Sequence, residues 1–256
     1  MILEEIQSDY IKDLAKAGKR SDQRGLFEYR PIKVTKGYLP NAEGSALAEI
    51  GDTKVVAGVK FDLVTPFPDR PDDGVVIFGS EFSPIAHPDF FPGPPDENSI
   101  ELARVVDRGI RSAECINVKE LKVSEEKVLG VFVDLYTIDH TGNLIDTAGL
   151  AAMAALKDAK IPKIEDGKLI RSEFTGGLNL SRDVVITSFE KVDGVLMADA
   201  RNVEEVASNG RMSFAISNDG FVVAAQKSGL AGFSKDELLK IIDLSLEKSK
   251  ELLTHV

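Results

Sequence analysis

The chain has 256 residues, 43% of them hydrophobic and 29% charged, which is enough apolar material for one large domain or two tightly packed halves. Its formal net charge of -11, from 42 acidic against 31 basic residues, excludes a general polyanion binder, so any contact with nucleic acid must be local. A single cysteine, Cys115, rules out an internal disulfide and any multi-cysteine zinc site.

Ile2, Ile6, Tyr10, Ile11 and Leu14 fall near helical spacing, so residues 2–17 read as an amphipathic helix ended by Gly18. Acids stand where a signal peptide carries basic residues, and the longest apolar run, AGLAAMAAL at 148–156, is far short of the roughly 18 residues of a membrane span. The expectation is a cytoplasmic protein with no membrane partner. After the polar joint KRSDQRG, the runs YRPIKV, GSALAEIG and TKVVAGVKFDLV read as a meander of strands with turns at Gly37, Gly44 and Gly51-Asp52.

Eight of the eleven prolines lie in residues 66–97, around one strand, GVVIFGSEFSPIA; the rest of this stretch reads as a rigid surface excursion. Asp96 or Asn98 then caps a helix running through Cys115, which is read as a small buried hydrophobe. KVLGVFVDLYTID reads as a strand pair that leads through the turn HTGN into a small-residue helix, DTAGLAAMAALKDA. Further strands follow around DVVITSFEKVDGVLMADA, then a hairpin turning at Asn218-Asp219-Gly220. A helix from about Ser234 closes the chain, its apolar face running from Leu238 to Leu253.

Within the helix after the prolines, ELARVVDRGIRSAE, Arg104, Arg108 and Arg111 are spaced by four and three and share one stripe, opposite an apolar face of Leu102, Val105, Val106, Gly109, Ile110 and Ala113. Two readings stand. The stripe is a solvated face, with Glu101 paired to Arg104 and Asp107 to Arg111, or it is an anion site, since guanidinium holds phosphate in bidentate geometry. Asp134, Asp139 and His140 offer too few convergent donors for a metal, and neither His87 nor His255 stands at a recognisable spacing from a nucleophile or an acid.

Five segments together resemble the RNase PH family: RSDQRGLFEYRPI, GSALAEIGDTKVVAGVKFDLVTP, ELARVVDRGIRSAE, VFVDLYTIDHTGNLIDTAGLAAMAAL and AAQKSGLAGFSKDELLKIIDLS. Within it the chain is most similar to the non-catalytic RNase PH-like subunits of the archaeal exosome core. The resemblance implies an α+β, ribosomal protein S5 domain 2-like fold in two similar halves with mixed sheets and packed helices. It divides the chain into an N-terminal helix (1–19), a first half (20–160) and a second half with the C-terminal helix (161–256). It also implies an alternating hetero-hexamer, a trimer of dimers with a catalytic RNase PH-like partner that uses inorganic phosphate, together with RNA-binding cap subunits and single-stranded RNA.

Catalytic members hold phosphate in a Gly-Ser/Thr-Arg loop matching HTGNLIDTAGL, where this chain has Ile145 and Asp146 and no Lys or Arg from 128 to 156. Their two late aspartates match Glu205 and Arg211, so at best one carboxylate survives. The expectation is therefore a subunit with no catalytic residue, metal or cofactor of its own, lending Arg104, Arg108 and Arg111 to RNA at the partner's active site. A self-sufficient homo-hexameric phosphorolytic exoribonuclease and a purely structural ring scaffold are the rival readings.

Overall fold

In the computed structural model, which describes residues 2–256, helix α1 (Ile2–Lys16) is stopped where Gly18 turns to φ +67°. Only part of the expected apolar face is used. Ile11 and Ala15 are buried with Val192 and Met197, whereas Ile6 and Tyr10 are exposed, because α1 docks through its C-terminal half beside a short helix, Asn202–Ala207. The side chain of Ile2 lies outside the described residues.

The first sheet contains β1 (Ile32–Lys36), β2 (Gly44–Ile50), β3 (Thr53–Val64), β4 (Val75–Phe82) and β5 (Val128–Asp139) in the order β1-β2-β3-β5-β4. All pairs are antiparallel except β4 with β5, and α2 (Glu97–Ser112) lies in the long connection that a parallel pair requires. KVLGVFVDLYTID is one continuous strand and not a pair. It has no turn residues to break it, and Val131, Val133 and Leu135 point alternately into the core while the run pairs with β3 from Val64↔Val128 to Lys54↔Asp139. Helix α2 is also shorter than expected: Glu114, at φ +52°, turns the chain away after Ala113, and Cys115 enters the core beyond the helix, where burial pushes its thiol up to about 12.

Helix α3 (Leu144–Asp158) is the centre of the molecule, buried from Ile145 to Leu156 between the first sheet and a second one. Its small residues permit this. A Cβ on Gly44 of β2 would come within 2.5 Å of the Ala155 carbonyl, and one on Gly149 would press on Ile186 at 3.1 Å. A hairpin that the sequence pattern does not announce, β6 (Lys160–Glu165) and β7 (Lys168–Gly177), follows; Arg171 ties it to the first sheet through Glu43 at 2.5 Å and the Phe61 carbonyl at 3.0 Å.

The second sheet is fully antiparallel, with β8 (Val184–Val192), β9 (Val195–Ala198), β10 (Gly210–Ser217) and β11 (Val222–Gly229) in the order β11-β10-β8-β9; helix α4 (Asn202–Ala207) joins β9 to β10. Strand β8 is covered on both faces. Ile186 meets Gly109 of α2 and Gly149 of α3, while Phe189 packs on Phe27 and Lys191 pairs with Glu237 of α5 (Lys235–Leu253). Ser234 and Glu237 form a capping box at the start of α5. The buried line of this helix is Ile241, Ser245, Ser249 and Leu252; the two serines let it approach the sheet closely, and Leu239 is left exposed.

Candidate functional site

Asp96 caps α2 by accepting from the Ser99 N–H at 2.8 Å, and the helix buries Leu102, Val105, Val106, Gly109 and Ile110. That fixes its rotation and leaves Arg104, Arg108 and Arg111 exposed, but the three are not equivalent. Arg104 has no hydrogen bond or ion pair among the described residues. Arg108 donates once, through Nη1 to Gln226 Oε1 on β11 at 3.1 Å. Arg111 is engaged within its own fold, with Nη2 at 2.7 Å from Asp107 Oδ1 and 2.9 Å from the Val76 carbonyl. The expected Glu101–Arg104 pair does not form: Glu101 turns toward β10 and β11, accepting from Ser228 Oγ at 3.4 Å and lying 3.9 Å from Arg211.

The loop before α3 has no free backbone donors from Thr141 to Asn143. The Thr141 N–H is taken by Thr53 Oγ1 at 3.1 Å, that of Gly142 by His140 Nδ1 at 3.3 Å, and that of Asn143, held at φ +59°, by Glu205 Oε1 at 2.7 Å. Such N–H groups are what a phosphate-holding loop offers its anion. Here a carboxylate of the chain stands in that place, and the loop itself carries no arginine.

Asp146, expected to repel phosphate, does not face the loop. It is fully buried, and its Oδ2 accepts from Tyr29 Oη at 2.6 Å and from Asn143 Nδ2 and the Ser188 N–H at 3.1 Å each. Burial raises its carboxyl to about 6 against those hydrogen bonds. Its role is to tie α3 to β8.

A buried ionic cluster anchors the same region. Asp199, at φ +44° and with no exposed surface, receives the Arg30 N–H and Nε at 2.8 Å each, Arg30 Nη2 at 2.7 Å, Arg24 Nη1 at 2.8 Å and Asn143 Nδ2 at 2.9 Å. Burial drives the Asp199 carboxyl up, but Arg30's hydrogen bonds and charge outweigh it and hold the group below the usual carboxylate range. Arg20 pairs with Glu204 alongside, at 2.5 Å. The sequence signal was present in RSDQRGLFEYR, whose arginines at 20, 24 and 30 belong to one turn-rich segment. Nothing in the spacing pointed to partners some 170 to 180 residues away.

Glu205 and Arg211 do come together, at a cavity of about 180 Å³ between α2, α3 and the Pro-rich excursion. His140 joins them, with Nε2 3.9 Å from Glu205 Oε2, and burial lowers its pKa to about 4, so the ring is neutral. His87 packs on His140 with ring centres 5.2 Å apart. The ladder slips by one residue near Ile138, so Asp134, opposite Gly58, and Asp139, opposite Lys54, share the outer face of β5, but they stand four β3 positions apart and Asp139 lies beside Lys54 at 3.5 Å; they do not converge. His255 follows the C-cap of α5.

Two sheets share the buried helix α3, and the loop at its start keeps its Thr141, Gly142 and Asn143 N–H groups for partners within the chain, an arrangement of the two-domain α+β class. The model of the 3′ exoribonuclease family, domain 1, matches residues 28–162 and that of domain 2 matches residues 184–248; the chain belongs to the RNase PH family and has its two-domain α+β fold. It is 39% identical to the exosome complex component Rrp42 of Pyrococcus abyssi, across 96% of this chain and 92% of that protein. Identity to Rrp42 of Methanothermobacter thermautotrophicus is also 39%, across 100% and 96%. A chain of the Archaeoglobus fulgidus exosome, solved with RNA bound to the active site, superposes with a TM-score of 0.92 at 37% identity over 99% of both chains.

Proposed function

We propose that the chain is a non-catalytic subunit of an exosome core ring, alternating with a catalytic RNase PH-like partner in a hetero-hexamer and contributing Arg104 and Arg108 to single-stranded RNA beside the partner's active site. Phosphorolysis needs a bound phosphate nucleophile and an acid for the leaving oxygen. The observation that carries the reading is the Asn143 N–H closed by Glu205 while Arg104 stands open on α2. The loop offers the attacking phosphate neither an arginine nor the N–H groups of Thr141 to Asn143, yet the chain presents guanidinium to solvent on a rigid, well-buried helix.

In this arrangement Arg104 and Arg108 hold RNA phosphates by charge-assisted hydrogen bonds, and Gln226 limits the positions open to the Arg108 guanidinium. The partner supplies the phosphate loop and general acid and uses inorganic phosphate; RNA-binding cap subunits deliver the strand. Arg111, bound to Asp107 and Val76, braces α2 against β4 and contributes less to RNA. The test is reconstitution. The purified chain should neither shorten poly(A) with phosphate nor extend RNA with ADP, and the mixture with its partner should do both; phosphorolysis by the isolated, contaminant-free chain would refute the reading.

A further inference from the structure

The cavity that Glu205 shares with Arg211 binds nothing in this scheme, and its chemistry is specific. One wall is apolar and aromatic: Phe82 and Phe90 stack with centres 4.5 Å apart, and Leu102, Leu144 and Ile145 continue it. Opposite stands a guanidinium without a hydrogen-bond partner. Among the described residues Arg211 donates no hydrogen bond; its neighbouring carboxylates, Glu101 and Glu190, are each 3.9 Å away, beyond hydrogen-bonding reach, although only about a quarter of its side chain is exposed. Glu205 spends Oε1 on the Asn143 N–H and leaves Oε2 to the cavity, where His140 Nε2 stops 3.9 Å short of it.

Part-buried donors and acceptors of this kind normally find partners. A small anion does not suit the site, because Glu101, Glu190 and Glu205 surround the one arginine. What suits it is a planar, neutral group with an acceptor next to N–H donors on one edge and a face to lay on the apolar wall. About 180 Å³ is below the roughly 300–1,000 Å³ of sites for drug-sized ligands and on the scale of a single heterocycle.

We propose that this cavity is a nucleobase site that prefers guanine, with Arg211 donating to O6 and the Glu205 carboxylate accepting from N1–H and the N2 amine. Guanine alone among the RNA bases presents acceptor, donor, donor in sequence along its pairing edge. Uracil sets acceptors on both sides of its single N–H and meets Glu205 unfavourably. The base arrives either as a free nucleoside or as an unstacked base of RNA, and both carry the same edge. The site stands on its own residues and does not depend on α2's arginines touching RNA.

Methyl NMR of the full-length chain tests this through the side chains of Leu102, Leu144 and Ile145, titrated separately with guanosine, inosine, adenosine, uridine, inorganic phosphate and the oligonucleotides G4 and U4. Guanosine or G4 should shift these methyls saturably, and which of the two binds more tightly identifies the source of the base. Inosine, lacking the N2 amine, should bind several-fold more weakly, and uridine, U4 and phosphate should leave the methyls unmoved. Arg211→Gln should weaken guanosine about tenfold or more, the scale of one charge-assisted hydrogen bond. Phe90→Leu, which leaves the polar groups in place, should weaken all purines alike and guards against a folding defect in the first variant. No response to either guanosine or G4, an equal response to all four nucleosides, or unchanged guanosine affinity in a folded Arg211→Gln chain overturns the proposal.

Discussion

The carboxylate of Glu205 accepts the backbone N–H of Asn143 at 2.7 Å, joining α4 of the second domain to the loop that opens α3 in the first. Removing it opens one donor without creating a phosphate site, since no Lys or Arg lies between Lys127 and Lys157. Glu205→Ala is therefore expected to remain inactive with phosphate and RNA while losing about 1–3 kcal/mol of stability, the scale of an unsatisfied buried amide. Urea unfolding and a phosphorolysis assay on the same preparation check the two halves of this expectation.

Asp199 neutralises Arg30 and Arg24 where neither can reach bulk water easily. Taking away one member of such a cluster leaves the others charged, buried and unpaired, which typically costs about 3–5 kcal/mol. Asp199→Asn should fall in that range, and Asp72→Asn, whose exposed partner is Lys122, should leave the parent's midpoint essentially unchanged. Equal midpoints for the two variants in denaturant would show that the cluster is not a structural anchor.

The strands and helices were legible where the periodicity was clean: β2, β3, α2 and α3 repeat apolar residues at two or near four, and the packing they imply is present. The β6–β7 hairpin escaped because β7 is almost wholly exposed and its charged residues give no alternation, although Asp166-Gly167, both at positive φ, was a hairpin signal in plain view. At the site, the stripe of three arginines was readable from spacing, but the division between open Arg104 and occupied Arg111 was not, since it depends on the Val76 carbonyl of β4. Asp146 misled for a related reason. Position in sequence placed it at the phosphate loop, while the first turn of α3 points it inward at Tyr29 and Ser188.

The arginine stripe makes an ordered set of variants. In the ring assembled with the catalytic partner, Arg104→Glu and Arg108→Glu should each weaken single-stranded RNA binding and lower the salt dependence by about 0.7 in slope for each phosphate no longer neutralised. Arg111→Glu should change RNA affinity less and stability more, because it sets a carboxylate beside Asp107. Fluorescence anisotropy at several salt concentrations gives both numbers. Unchanged affinity and slope in the first two variants would favour a purely structural ring scaffold.

Stability should also depend on pH in an unusual direction, because burial raises two carboxyls, Asp146 to about 6 and Glu190 to about 7, from about 3.9 and 4.3 in an unfolded chain. The folded protein then binds these protons more tightly than the unfolded one. Each contribution is complete below about pH 4 and is lost as pH rises through the folded value, on the order of 3–4 kcal/mol apiece. His140 runs the other way: lowered to about 4 by burial, it binds fewer protons in the folded state, so its contribution grows from about pH 4 to about 6.5 and masks much of the Asp146 loss. Above that window only the fall from Glu190 continues. Glu190→Gln, which keeps an acceptor for Ser208 Oγ, should remove a fall that runs from about pH 4.3 to 7 and stands unmasked by His140 only above about pH 6.5, whereas Asp146→Asn should act between about pH 4 and 6. Urea midpoints measured at half-unit steps decide it, and a Glu190→Gln profile parallel to the parent's would assign the proton to another group.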